Sequence, residues 1–207
     1  MVADMIELGR IKAGVVVDAE SSREVVEATM ERLLHPDTDP EKFRLNFPTL
    51  TLGSGAVAVV LTHRDVGQQK HRLVGHVSLA DTVHRNLCLG SPQEMLVHAH
   101  ELLKAGLMLA RKTWDLGQKL LGWDSRSLDF IVGHQVGSKH FTRLFDLFGL
   151  DQSRTFVTYP SLGNVGPASI PLTLAIAVER GLIRKGYRLA LMGIGSGLNC
   201  LMMEIEW

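Results

Sequence analysis

Cysteine is scarce in this chain. Cys88 and Cys200 are the only two, far apart and outside any CxxC spacing. That excludes a disulfide-built scaffold and fits a reducing compartment. Net charge is lacking as well, with 22 basic residues against 22 acidic ones. A nucleic-acid binder needs a basic face, so the balance argues against that class, though not against a local basic patch. Long apolar runs are also missing, and none reaches the roughly 18 residues that a membrane span needs. Near the start, Asp4, Glu7, Arg10 and Lys12 interrupt the apolar residues, so no signal-peptide pattern forms. The histidines are scattered, and His98 and His100, two apart, share no helix face, so no metal site is implied. These absences predict a soluble, cytoplasmic protein.

What is present is ordinary globular material, 45% hydrophobic and 21% charged. A chain of this length buries roughly 70% of its unfolded surface, enough for one domain, or one domain and part of another. Residues 2–12 have helical spacing with no leading cap, so the chain is expected to begin inside a helix. A short strand is predicted over Ala13–Val17, then a helix over about 22–34 capped by Ser21 or Ser22 and closed before His35-Pro36. The polar stretch 36–50 reads as loop. Ala56–Leu61 reads as a buried central strand, residues 65–70 as a turn, 72–81 as a strand and 82–93 as irregular.

The longest helical pattern runs from about Gln93 to Leu121, with Leu96, Leu102, Leu103, Leu107, Leu109 and Leu120 as its apolar stripe. Strand 129–133, helix 137–149, strand 154–158, helix 167–181 and strands 187–192 and 199–206 follow, with Gly149 and Gly181 as helix-ending signals. Alternating strands and helices predict an α/β fold, a largely parallel mixed sheet with helices on its faces.

Two polar residues stand out in apolar frames. His134 follows Leu-Asp-Phe-Ile-Val-Gly, and Asn164 lies in Tyr-Pro-Ser-Leu-Gly-Asn-Val-Gly-Pro-Ala-Ser. Both are expected just past strand ends, where α/β sheets bind ligands. A neutral imidazole and an amide that never ionises can donate hydrogen bonds to one developing oxyanion. The glycine-rich turn Gly193-Ile194-Gly195-Ser196-Gly197 offers backbone N–H groups that no Cβ shields. Taken singly, a histidine after a strand is more often a hydrogen-bonded structural residue, and Gly-Asn is a common turn dipeptide. Gly-x-Gly-x-Gly lacks dinucleotide-binding spacing.

In combination and order these motifs resemble the thiolase-like superfamily, in its ketoacyl synthase III branch. The resemblance rests on Gly133-His134-Gln135, on Gly163-Asn164-Val165-Gly166-Pro167-Ala168-Ser169, on Gly193–Gly197, and on residues 177–187. Leu52–Ala58 is similar to the family's Gly-Asp-Gly-Ala strand entry, with Ser54 in place of the acid, and Val136-Gly137 replaces the usual Ala-Asn after His-Gln. The Asn164 segment is closest in wording to the head-to-head acyl-CoA condensing enzymes of olefin biosynthesis. The resemblance implies thioester Claisen condensation of fatty acyl groups. His134 and Asn164 would stabilise the enolate, and Gly195, Ser196 and Gly197 would form an oxyanion hole through the Ser196 amide.

It further implies residues 1–65 as the tail of an N-terminal half and 66–207 as the C-terminal half. No cofactor is implied beyond acyl-CoA or acyl carrier protein as substrate carriers. The family's nucleophilic cysteine opens the helix that matches residues 1–12, so it would fall just before Met1. Neither Cys88 nor Cys200 has a helix-start setting. A fragment of a longer enzyme is the favoured reading, because Met1 lies inside an ordinary helix. A split subunit and a non-catalytic acyl-binding partner stay open, with homodimerisation or pairing with a chain that supplies the rest.

Overall fold

A computed structural model describes residues 1–67, 71–91 and 93–207. Helix α1 (Val2–Glu7) leads into strand β1 (Ala13–Glu20), followed by helices α2 (Arg23–Leu33) and α3 (Pro40–Asn46) and strand β2 (Gly55–Thr62). The stretch expected as loop thus contains a helix. Asp39 accepts the Lys42 N–H at 2.7 Å and Pro40 occupies the first turn, an N-terminal signature that the polar composition masked. Ser22 stands at the N-cap of α2, but its hydroxyl bonds Ser54 Oγ at 3.1 Å instead of the helix.

β1 and β2 pair antiparallel over eight residues each as a two-stranded ribbon. Its valines are the main surprise. Val15, Val16, Val17, Val59 and Val60 are exposed, although the continuous apolar run of β2 has the pattern of a strand buried on both faces.

The second sheet follows. β3 (Arg72–Ala80) is succeeded by the short pair β4 (Cys88–Gly90) and β5 (Met95–Val97), helix α4 (Ala99–Leu121), β6 (Phe130–Gly133), α5 (Ser138–Phe148), α6 (Tyr159–Leu162), α7 (Ser169–Glu179), β7 (Arg188–Gly195) and β8 (Asn199–Glu206). The strand order is β3-β8-β7-β6. Only β6–β7 is parallel; β7–β8 and β3–β8 are antiparallel, so the sheet is mixed, with less parallel pairing than expected. Of the expected turn 65–70 and irregular stretch 82–93, residues 68–70 and 92 lie outside the described residues.

β6 and the body of β7 are apolar throughout because both faces of the sheet are covered. On one face α4 and α5 pack Leu109, Trp114, Leu144 and Phe145 over Ile131, Ala190 and Met202. On the other, α7 places Ala177 against Val132, Leu189 and Leu191. The buried face of α4 is mostly small, carrying Ala105, Gly106, Leu109, Ala110, Thr113, Trp114 and Gly117, whereas Leu120 is exposed and Leu96 lies in β5. Short side chains let a 23-residue helix lie close on the sheet, a role that counting leucines alone does not reveal.

One ion pair with a buried carboxylate and a half-exposed guanidinium anchors the N-terminal end of β7. The Arg188 guanidinium donates to both Glu204 oxygens at 2.9 and 3.1 Å, and Trp123 Nε1 donates to Glu204 at 2.6 Å. The Arg188→Leu variant leaves a buried carboxylate without its counter-charge and should lose about 3 kcal/mol, read as a lower urea midpoint at unchanged slope.

Candidate active site

β6 ends at Gly133, and the His134 N–H carries the parallel pairing one step further by donating to Met192 O of β7 at 2.9 Å. His134 therefore sits at a strand end, as expected. Burial pushes its imidazole down to about 4, and the neighbouring His140 adds to the effect. At neutral pH it is an uncharged ring, able to donate one hydrogen bond without bringing a charge.

Asn164 is placed differently from the expectation. No strand forms over 154–158; Thr155 makes a single bridge to Ile131, and the chain then turns into α6. Asn164 lies between α6 and the 3-10 turn Gly166–Ala168. Its backbone docks on the loop that enters β2. Its N–H donates to Thr51 O and its carbonyl accepts from the Gly53 N–H, both at 2.9 Å. That approach requires glycine at position 53, where a Cβ would stand 1.8 Å from Leu162 O. The Asn164 Oδ1 accepts the Gly166 N–H at 3.1 Å. The amide oxygen is thereby fixed, leaving Nδ2 as the group free to donate.

A run of buried polar contacts joins the two residues. Gln135 Nε2 donates to Gly133 O at 2.8 Å, while its Oε1 accepts the Thr158 and Tyr159 N–H groups at 2.8 and 3.3 Å. Thr158 and Thr173 hydroxyls meet at 2.6 Å, and Thr173 Oγ1 donates to Ser169 O at 2.6 Å. Since Thr173 has one hydroxyl hydrogen, Thr158 is the donor between them. Ser169 Oγ then accepts the Val165 N–H at 3.0 Å, beside Asn164. The sequence marks Gln135 and Ser169 only as members of motifs and leaves Thr158 and Thr173 unmarked. The usable signal was polar residues at i and i+4 on an otherwise apolar helix, Ser169 and Thr173 of α7.

The glycine-rich segment also shifts. β7 runs on to Gly195, with Gly193 facing Leu201 and Gly195 facing Asn199 of β8, so the turn proper is Ser196–Leu198. Ser196 is exposed at its tip. The turn Gly166–Ala168 touches β7, which brings the Asn164 segment to the edge that His134 and Ser196 share.

Neither thiol is suited to nucleophilic work. Cys200 is buried and burial pushes its thiol up, opposite to what a thiolate nucleophile needs. It lines a cavity of about 10 Å³ with Gly106, His140, Met192 and Gly193, room for roughly one water. Cys88 lies in the three-residue strand β4, away from any helix start. Among the described residues no cluster of His, Cys, Asp and Glu could hold a metal, and no helix is long and apolar enough to cross a membrane.

The buried His134 has a consequence for stability. Its folded pKa lies below the unfolded value near 6.5, so between these values the unfolded chain binds a proton that the folded chain refuses. Stability should be flat above pH 6.5 and fall by about 3 kcal/mol as pH drops toward 4, reduced in His134→Asn. Urea titrations across that range, with imidazole NMR shifts, test this. In the Gln135→Leu variant the Thr158 and Tyr159 N–H groups lose their acceptor, at a cost of about 2–3 kcal/mol, and both amides should exchange faster.

Comparison with known proteins identifies relatives of the chain. Residues 119–207 match the family described as 3-oxoacyl-[acyl-carrier-protein (ACP)] synthase III C terminal. An acyl-CoA:acyl-CoA alkyltransferase of Xanthomonas campestris is 40% identical over 205 residues, 99% of this chain and 61% of that protein. One from Shewanella oneidensis is 38% identical over 218 residues, 100% of this chain and 62% of that protein. A β-ketoacyl-[acyl-carrier-protein] synthase III of a Jannaschia species is 28% identical over 165 residues, 75% of this chain and 51% of that protein. Among solved structures, a cysteine-to-serine form of Xanthomonas campestris OleA with bound lauric acid and lauroyl-CoA superposes with a TM-score of 0.96. The identity is 40%, covering 99% of this chain and 61% of that one. The chain thus spans about three fifths of the length of the curated relatives that match it nearly end to end. By fold and by sequence the chain belongs to the thiolase-like superfamily, and its residues 119–207 are of the 3-oxoacyl-[acyl-carrier-protein] synthase III C-terminal type.

Proposed function

We propose that this chain provides the oxyanion-stabilising side of a β-ketoacyl synthase III-type acyltransferase, which joins two fatty acyl groups by thioester Claisen condensation. The observation that carries the reading is that one buried hydrogen-bond network ties together the segments bearing two neutral donors. His134 is held uncharged by burial, and Asn164 has its amide oxygen tied back by Gly166 so that Nδ2 is free. When an acyl thioester loses a proton from its α-carbon, the charge moves to the thioester oxygen. Both donors stabilise that enolate without ionising. The α-carbon then attacks the carbonyl of the first acyl thioester; a carbon–carbon bond forms, the carbon–sulfur bond breaks, and the thiolate leaves. The Ser196 N–H, with Gly195 and Gly197 leaving the backbone open, serves the oxyanion of that second stage. With so low a proton affinity, His134 is the donor, and the base that takes up the α-proton is proposed to come, like the nucleophilic thiol, from outside this chain.

The first acyl group needs a cysteine that Cys88 and Cys200 do not provide, so the chain alone is proposed to be inactive. Acyl-CoA is the proposed carrier, by similarity to the two alkyltransferases, with acyl carrier protein as the alternative from the synthase III relatives. A dimer, or a pairing with a chain that supplies the thiol, in the cytoplasm, completes the proposal. The absence of a suitable thiol also favours a second reading, a non-catalytic acyl-binding partner of a complete condensing subunit.

Incubation of the purified chain with lauroyl-CoA should give no condensed product and no acylated cysteine by mass spectrometry. Added to a full-length relative, it should change that enzyme's product yield or acyl-CoA affinity under the partner reading. Stoichiometric acylation of Cys88 or Cys200 would overturn the role given to both thiols.

A further inference from the structure

Beneath the Asn164 turn lies an acidic pair that the condensation chemistry leaves unused. Asp18 and Glu20 are two apart on β1 and so share one side of the strand. Both are partly buried, whereas Val15, Val16, Val17 and Ala19 are exposed. The turn Gly166–Ala168 packs on this strand. Gly166 has φ of 53°, and a Cβ there would lie 3.2, 3.3 and 3.4 Å from Glu20 Cδ, Oε1 and Cγ. The Glu20 carboxyl therefore rests directly against the one residue whose N–H fixes Asn164 Oδ1. Asp18 Oδ2 is buried there with no partner.

We infer that Glu20 is a positioning residue for Asn164. Its carboxyl, with Asp18 beside it, buttresses the left-handed turn at Gly166, and the Gly166 N–H in turn orients the Asn164 amide. The importance of that orientation for catalysis rests on the reading of Asn164 as an oxyanion donor; the mechanical coupling does not.

The two carboxylates make the buttress sensitive to charge. Burial, and then the nearby Asp18, raise Glu20 above its ordinary value. β2 and the Gly166–Ala168 turn carry no ionisable side chain, and α1, which meets β1 at Gly14 through Val2, carries the acids Asp4 and Glu7, with the Met1 ammonium at its start paired to Asp4 at 2.7 Å. As pH rises through the Glu20 transition, negative charge develops against the turn and loosens it.

The test uses the 15N-labelled chain, without substrate. The Gly166 backbone amide and the Asn164 side-chain NH2, the latter assigned by its disappearance in Asn164→Asp, are followed from pH 4 to 8 by NMR. Both signals should titrate together, with a midpoint above the ordinary glutamate value. Glu20→Gln, which keeps the shape without the charge, should abolish that titration while retaining protection of the Gly166 amide. Glu20→Ala should speed exchange of that amide by about tenfold, the loss of roughly one hydrogen bond. Signals flat with pH in the wild type, or a titration that survives Glu20→Gln, overturn the assignment. Should Glu20→Ala not fold, the wild-type and Glu20→Gln titrations still decide it. Separately, an acyl-CoA complex whose thioester oxygen lies away from Asn164 Nδ2 defeats the functional reading while the coupling stands.

Discussion

A buried amide must satisfy both its ends, and in this molecule that requirement falls on Gln135. Its nitrogen is bound to the last carbonyl of β6 and its oxygen to two N–H groups at the start of α6. An unmet hydrogen bond at a buried group costs about 1–3 kcal/mol, so small slippage between β6 and α6 is strongly resisted. From that joint the Thr158, Thr173 and Ser169 hydroxyls pass the constraint to Val165 and Asn164. Placement of His134 and Asn164 is thus a property of a connected network more than of either residue's own surroundings.

The same region avoids net charge. Gln135, the threonines and Asn164 never ionise, and His134 is kept neutral by burial. A site with fixed neutral dipoles stabilises charge that develops during reaction without first having to accommodate a resident ion. Glu20 and Asp18 are the exceptions, and they lie behind the Gly166 turn on β1.

Much of the fold was legible because its signals were local. The apolar run Phe130–Gly133 gave β6, the glycine at 149 marked the end of α5, and the final strand matched its expected bounds of 199–206. The misreadings came from context. The 36–50 stretch was polar enough to pass for loop although Asp39-Pro40 starts a helix. Residues 154–158 have strand-like composition but meet β6 at one bridge only. β2 has the sequence of a strand covered on both faces and is exposed here. Of the site, His134 and Asn164 could be picked out as polar residues in apolar frames. Of the hydroxyl chain only the i, i+4 pair Ser169 and Thr173 left a local trace, because Thr158 meets Thr173 across 15 residues, and the acidic buttress announces itself only through its distance to Gly166.

The central claim is that His134 and Asn164 serve one oxygen. A crystal structure of the chain bound to an acyl-CoA measures this directly. The thioester oxygen is predicted to lie within about 3.2 Å of both an imidazole nitrogen of His134 and Nδ2 of Asn164. A ring and an amide held more than about 7 Å apart, or an acyl oxygen bound elsewhere, would contradict it.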